Sequence, residues 1–152
     1  MSIANVLKTM KDEEVQYVDV RFTDPRGKLQ HVTLRYTEVD EDFLEEGFMF
    51  DGSSIAGWKS IEESDMKLIP DTESIYIDPF YAEKTLCIHC SVVEPDTREP
   101  YERDPRSVAE KAEAYLKSSG IGDAAYFGPE AEFFLFDDVR FQVSMNKVSY
   151  QV

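Results

Sequence analysis

The stretch GPEAEFFLF, residues 128–136, places two glutamates in one of the most apolar runs of the chain. This run predicts a β-strand over about 124–137, in which Glu130 and Glu132 point to the same side with Cα atoms roughly 7 Å apart. Two like charges on a largely apolar face either take up protons or are neutralised by cations, and Mg²⁺ accepts carboxylate oxygens together with substrate phosphates. Three interpretations stay open on spacing alone: a metal-binding pair, an acid/base dyad, or carboxylates at a strand end that face solvent or pair with basic side chains.

A second distinctive string is MFDGSSIAGW, residues 49–58. Asp51 and Gly52 are a turn signal, the small residues after them favour a flexible loop, and Trp58, the only tryptophan, ends it. An aromatic side chain on such a loop could act as a lid or contact a partner. The alternative is a hairpin connection whose tryptophan is anchored in the core.

The string Cys87-Ile88-His89-Cys90 has the residue types of a metal or redox motif. In an extended strand the two sulfurs face opposite sides, and no second C-x-x-C completes a zinc site, so we predict structural cysteines. His31 is predicted to be a surface histidine. Glycine-rich phosphate loops, G-x-S-x-G and H-E-x-x-H are all absent from the sequence.

Hydrophobic periodicity predicts an α+β fold made of short elements. We expect helices at 3–13, from Asp40 to Gly47 and from Asp104 to Gly120, a β-hairpin at 15–36, strands near 65–69, 75–77 and 85–93, and a linker at 94–105. The last helix would bury Val108, Ala112, Tyr115 and Leu116. These elements suggest a domain at 1–103 and a second unit at 104–152. Because one helix and one strand cannot close a core, the second unit is expected to be incomplete.

The net charge of −15 disfavours partners that carry negative charge. Nucleic acid and membrane binding are therefore not expected, whereas divalent cations or ammonium suit an anionic surface. The sequence has neither a run of about 18 apolar residues nor an export signal, which favours the cytoplasm and reduced thiols.

Several long strings together resemble the N-terminal third of bacterial type I glutamine synthetases, from about residue 3 to residue 141. They are VDVRFTDPRGKLQHVT, EEGFMFDGSSIAGWKSIEESDM, YERDPRSVAEKAE and FGPEAEFFLFDDVRF. The resemblance implies a β-grasp domain followed by the beginning of a catalytic α/β domain. It also implies ATP-dependent ligation of ammonia to L-glutamate through γ-glutamyl phosphate, with two Mg²⁺ or Mn²⁺ ions, in a homo-dodecamer of two stacked hexamers.

The same resemblance implies roles for individual residues. Glu132 would ligate the metal on the glutamate side, and Glu130 the metal nearer the ATP phosphates. Asp51, with Ser54 beside it, would bind ammonium and help to deprotonate it, in the active site of a neighbouring subunit. Trp58 would lie near that inter-subunit site, and Asp65 falls in the same region.

The other metal ligands and the substrate-binding arginines of the family have no counterpart within residues 1–152. We therefore expect this chain to be a fragment that is inactive by itself. The alternative is a non-catalytic, acidic β-grasp module used for assembly or protein binding.

Overall fold

A computed structural model describes residues 1–152. Its elements, in chain order, are α1 (Ile3–Asp12), β1 (Tyr17–Thr23), β2 (Leu29–Arg35), α2 (Glu41–Glu46), β3 (Phe48–Asp51), β4 (Asp65–Ile77), β5 (Thr85–Val93), α3 (Pro105–Ser119), β6 (Arg140–Ser144) and β7 (Lys147–Gln151). Short 3₁₀ turns lie at Tyr36–Glu38, Gly52–Ser54 and Ile61–Glu63. None of the helices combines the length and the apolar composition that a bilayer crossing requires.

The first five strands form one mixed sheet in the order β2-β1-β5-β4-β3. Strands β1 and β5 run parallel, and every other neighbouring pair is antiparallel. The long strand β4 shifts register against β5 between Pro70 and Ile75, so the two strands predicted at 65–69 and 75–77 are parts of one irregular strand. This mixed sheet with few helices confirms the predicted α+β fold.

The core lies between one face of this sheet and the helices α1 and α2. Alternate residues of β1, namely Val18, Val20 and Phe22, are buried there, as their spacing predicted. The remaining members of the core come mainly from α1, β4 and β5: Val6, Met10, Met66, Leu68, Leu86, Ile88, Cys90 and Val92. Burial of this set holds the helices on the sheet.

The helices begin and end where the sequence predicted. The side chains of Ser2 and Asp40 accept backbone N–H groups in the first turns of α1 and α2, and Asp104 does the same for α3. Gly120 ends α3 in the left-handed conformation. Gly47 has φ +87°, and an added Cβ would lie 2.4 Å from the Leu68 carbonyl oxygen, so only glycine fits between α2 and β3.

The opposite face of the sheet carries a buried polar network centred on Asp19, which is 0 % exposed. Its carboxylate accepts hydrogen bonds from Arg21 Nε at 2.6 Å and Thr33 Oγ1 at 2.6 Å, and His31 Nδ1 lies 2.7 Å away. Burial raises the pKa of Asp19, but the hydrogen bonds from Thr33, His31 and Arg21 outweigh it and lower the pKa below the ordinary value. The half-exposed His31 therefore has a structural partner on the surface where it was predicted.

The strand predicted at about 124–137 is wrong for this structure. Residues 121–139 form neither helix nor strand, and the next strands are the hairpin β6–β7. A strand needs a partner to satisfy its backbone N–H and C=O groups, and no strand within residues 1–152 lies beside this segment.

The predicted burial along α3 is also wrong. Val108 and Tyr115 are exposed, Tyr115 at 71 %, and only Ser107 of this helix is buried. The predicted linker, in contrast, is packed onto the five-stranded sheet. Tyr101 is 4 % exposed, and the buried Asp104 accepts a hydrogen bond from the Val92 N–H at 3.0 Å. The segment before α3 and the first turn of α3, where Arg106 pairs with Asp71 at 2.7 Å, are therefore fixed to the sheet, while most of the remaining helix is exposed.

Candidate functional site

Two acidic residues from the sequence analysis are brought face to face by the β3–β4 pairing. Asp51 and Asp65 are direct partners in this antiparallel register, and both are exposed. Directly opposed residues project to the same face of a sheet, with Cα atoms about 4.5–5.5 Å apart. Two exposed carboxylates on one face of a sheet add negative charge to that face, which attracts cations.

The Asp51 carboxylate is held by the two serines that follow it. Its Oδ1 accepts both the backbone N–H of Ser53 at 2.8 Å and the Ser53 hydroxyl at 2.6 Å. The Ser54 hydroxyl lies 3.5 Å from Oδ2. These bonds, with the Ser53 hydroxyl contributing most, hold the pKa of Asp51 below its ordinary value. The side chain is therefore an oriented, ionised acceptor at neutral pH.

The turn after Asp51 is fixed by a close approach of Gly52 to β4. The Gly52 N–H donates to the Ser64 carbonyl at 2.7 Å, and an added Cβ would lie 2.4 Å from Met66 Cγ. Glycine at this position lets the turn pack onto a fully buried methionine.

Trp58 anchors the other end of the loop in the core and is 5 % exposed. Its ring packs 5.5 Å from Phe22, 6.0 Å from Phe50 and 5.4 Å from Tyr101, measured between ring centroids. Of the two interpretations left open by the sequence, the structure shows the core anchor.

Basic side chains tie the same loop to the segment before α3. Arg103 Nη1 donates to the Gly57 carbonyl at 2.7 Å, and Lys59 Nζ lies 2.9 Å from both carboxylate oxygens of Glu94. Lys59 also lies 5.3 Å from the ring centroid of Tyr101, within cation–π range. The loop that follows Asp51 is thus fixed at several points.

An acidic cleft of about 630 Å³ adjoins Asp65. Its charged lining consists of Glu62, Glu63, Asp65, Glu94, Asp96 and Glu99, with Lys59 as the one basic residue. Since Lys59 is engaged by Glu94, the cleft carries an excess of negative charge beside the exposed face of Asp51 and Asp65.

Glu130 and Glu132 lie in the irregular segment after α3, and both are exposed. Their carboxylates have the oxygen chemistry that hard divalent cations prefer. Within residues 1–152, however, no group of three or more histidine, cysteine, aspartate or glutamate side chains is arranged to hold a metal ion. Glu130 and Glu132 therefore supply carboxylate oxygens but do not form a complete metal site by themselves.

The cysteine motif carries no free reactive thiolate. Cys87 and Cys90 are both buried and unpaired. Burial raises the pKa of Cys87 to about 11 and that of Cys90 to about 12, so both stay protonated at neutral pH.

Sequence reasoning missed Ser53 and Arg103, and it did not predict that Asp65 faces Asp51. The register could have been obtained by pairing Phe48 and Phe50 with Leu68 and Met66, because the apolar residues of the two strands must share a face. The Arg103 contact joins positions 46 residues apart, and local patterns carry no information about it.

Two models of protein families match consecutive parts of this chain. The family model described as glutamine synthetase, beta-Grasp domain, matches residues 14–95, and the model described as glutamine synthetase, catalytic domain, matches residues 102–152. A glutamine synthetase of Cereibacter sphaeroides is 77 % identical over 150 residues, which cover 99 % of this chain and 32 % of that protein. One from Rhodobacter capsulatus is 74 % identical over 151 residues, covering 99 % of this chain and 34 % of its own length.

Among solved structures, a Plasmodium falciparum glutamine synthetase superposes with a TM-score of 0.75 at 23 % identity, covering 99 % of this chain and 29 % of that one. At this identity the superposition shows a shared fold. The chain spans about a third of the length of the curated relatives that it matches. On the evidence of both family models and of these relatives, the chain belongs to the glutamine synthetase family.

Proposed function

We propose that this chain supplies the ammonium-binding side of an active site that joins ammonia to L-glutamate at the expense of ATP. In this reaction ATP phosphorylates the γ-carboxylate of glutamate, and ammonia then displaces phosphate from the γ-glutamyl phosphate. The observation that carries the proposal is the exposed pair Asp51 and Asp65, opposed across β3 and β4. Family membership and relatives named glutamine synthetase support the choice of reaction.

Ammonium fits the Asp51 site on charge and on hydrogen bonding. It carries one positive charge and four N–H donors, and the two exposed carboxylates on one face of the sheet attract it. The bonds from Ser53 and Ser54 keep Asp51 ionised, and an ionised carboxylate attracts the ammonium ion. We assign to Asp51 the binding of ammonium and help in its deprotonation, with Ser54 beside it and Asp65 opposite. The carboxylate accepts one N–H proton, which exposes the lone pair that attacks the γ-glutamyl phosphate.

Trp58 enters the proposal as the residue that fixes the loop. Its indole is almost fully buried among Phe22, Phe50 and Tyr101, so it supports the position of the loop and does not contact ammonium directly. In the assembled protein this buried anchor would keep the loop in place beside a neighbouring subunit.

Glu130 and Glu132 are proposed as carboxylate ligands of two Mg²⁺ or Mn²⁺ ions, with Glu132 on the glutamate side and Glu130 nearer the ATP phosphates. Their exposed carboxylates suit these hard cations, and the two residues would supply part of the ligand set. Such ions would neutralise phosphate charge during phosphoryl transfer.

The proposed assembly is a homo-dodecamer of two stacked hexamers in the cytoplasm, with glutamate, ammonium and ATP as substrates. Asp51 would serve the active site of a neighbouring subunit, while Glu130 and Glu132 would serve their own. The division of the chain near residue 103 belongs to the same proposal. The net charge of −15 accords with cationic ligands rather than with nucleic acid or membrane surfaces.

The test places residues 1–152 in the Cereibacter sphaeroides glutamine synthetase, in exchange for the 150 residues that match them. In this chimera Asp51→Asn should raise KM for ammonium by about tenfold or more, because a neutral amide loses the attraction for the cation. KM for glutamate and for ATP should change by less than about twofold. An unchanged ammonium KM in the Asp51→Asn variant would contradict the proposal.

The matched control is Asp12→Asn, which neutralises an exposed carboxylate of α1 that pairs only with Lys8. It should leave all three KM values unchanged. A chimera that assembles but makes no glutamine even with the native residues would instead favour a non-catalytic assembly module.

A further inference from the structure

We infer that Ser53 is a positioning residue for ammonium capture, acting through Asp51. This inference rests on the proposed function and adds a residue to it. Ser53 is half-buried, and its two donors meet at a single oxygen, Oδ1 of Asp51, with the hydroxyl at 2.6 Å and the backbone N–H at 2.8 Å.

The two oxygens of the Asp51 carboxylate differ in their hydrogen bonding. Oδ1 is occupied by two short hydrogen bonds from one residue. Oδ2 has one long contact, the Ser54 hydroxyl at 3.5 Å, and so keeps its acceptor capacity for a cation. Ser53 therefore fixes the rotation of the carboxylate and leaves Oδ2 as the oxygen that binds the cation.

The backbone around Ser53 fixes the orientation of the Asp51 carboxylate in the absence of a ligand. Asp51 is the last residue of β3, paired with Asp65, and Gly52 is tied to Ser64 through a 2.7 Å hydrogen bond. The carboxylate is thus oriented between a strand end and a short 3₁₀ turn. Orientation in advance lowers the cost of binding a small cation, which has few contacts of its own.

The hydroxyl also affects the charge on Asp51. Because a hydrogen bond to the ionised form favours that form, the Ser53 hydroxyl lowers the pKa of Asp51. Removal of the hydroxyl should both loosen the carboxylate and raise its pKa, while the backbone N–H of residue 53 remains.

The first experiment measures the carboxyl pKa of Asp51 by carbon-detected NMR in the 152-residue chain. Ser53→Ala should raise this pKa, and Ser53→Thr, which keeps a hydroxyl, should restore it. Ser60→Ala is the matched control, because the hydrogen-bond partners of the Asp51 carboxylate are Ser53 and Ser54 and do not include Ser60. It should leave Asp51 unchanged, and an unchanged Asp51 pKa in Ser53→Ala would overturn the inference.

The second experiment measures kinetics in the chimeric enzyme. Ser53→Ala should raise KM for ammonium by about tenfold, the typical effect of one hydrogen bond to a charged group. KM for glutamate and for ATP should stay within about twofold. Ser53→Thr should restore the KM for ammonium. An equal rise of all three KM values in Ser53→Ala would indicate that Ser53 has a merely structural role and would overturn the inference.

Asp51→Asn separates this inference from the proposed function. If Asp51→Asn raises the ammonium KM and Ser53→Ala does not, the inference about Ser53 alone is wrong. If neither variant changes the ammonium KM, the proposed function is wrong as well.

Discussion

At the scale of single residues, the fold depends on one carboxylate, that of Asp19, on the face of the sheet opposite the hydrophobic core. Asp19 is fully buried, and its carboxylate is surrounded by Arg21, His31 and Thr33. Arg21 also reaches Asp78 at 3.0 Å, which links β1 to the end of β4. A buried carboxylate with this many donors stabilises the fold only while it is ionised.

Stability should therefore depend on pH through Asp19. Its pKa lies below the ordinary value of 3.8, because hydrogen bonds outweigh burial. The contribution of Asp19 to the free energy of unfolding is complete at pH values above 3.8. It is lost as the pH falls through the lower pKa that Asp19 has in the folded state. Thermal unfolding followed between about pH 7 and about pH 2.5 should show the loss only in the acidic part of this range.

Substitution of Asp19 by asparagine should lower the free energy of unfolding by about 3 kcal/mol at neutral pH, because one partner of a buried ion pair is removed. The difference from the native chain should shrink as pH falls below about 4. Asp12→Asn, at an exposed pair with Lys8, should cost less than about 1 kcal/mol. Equal losses of unfolding free energy in Asp19→Asn and Asp12→Asn would contradict a larger stabilising contribution from Asp19.

At the scale of elements, the sequence predicts well those parts whose partners are close along the chain. Helix α1, the β1–β2 hairpin and helix α2 follow from Ser2, from the alternation around Val20 and from Asp40 with Gly47. In each of these elements, the residues that cap, turn or pair lie within a few positions of one another, so local patterns suffice.

The elements after α3 show where local patterns fail. The run around Phe133 is as apolar as a buried strand, yet strand formation depends on a neighbour that sequence spacing cannot supply. The β6–β7 hairpin was missed although its signal is present. Phe141 and Val143, then Val148 and Tyr150, alternate with polar residues around a two-residue turn.

The candidate site was likewise predictable only in part. Asp51 and Ser54 follow from the resemblance to a family, and their closeness to each other follows from sequence spacing. The roles of Ser53 and Arg103 depend on the direction of a hydroxyl and on a contact between distant segments. Neither is encoded in the local periodicity.

The link between β3 and β4 depends on glycine at position 52. Gly52→Ala should destabilise the chain by about 1–3 kcal/mol, because the new methyl group would overlap the buried Met66 and approach the Ser64 carbonyl. Gly128→Ala is the control, since its Cβ meets nothing within 4 Å, and it should change stability by less than about 0.5 kcal/mol. Chemical denaturation of both variants checks this, and a neutral Gly52→Ala would contradict the close packing.

At the scale of the whole molecule, the two groups of candidate residues belong to different parts of the chain. Asp51 and Asp65 lie on the five-stranded sheet, whereas Glu130 and Glu132 lie beyond α3, and the structure forms no ligand cluster that joins them. This separation agrees with the proposal that each active site takes Asp51 from one subunit and Glu132 from its neighbour.

The most direct measurement is complementation between subunits of the chimeric enzyme, assayed at limiting ammonium. Asp51→Asn and Glu132→Gln proteins, each with little activity alone under this condition, are dissociated, mixed in equal amounts and reassembled. If each site needs Glu132 from one subunit and Asp51 from the next, random mixing gives about a quarter of the sites both native residues. The account predicts recovery of about that share of the activity of the reassembled native chimera, and no recovery in the mixture would contradict it.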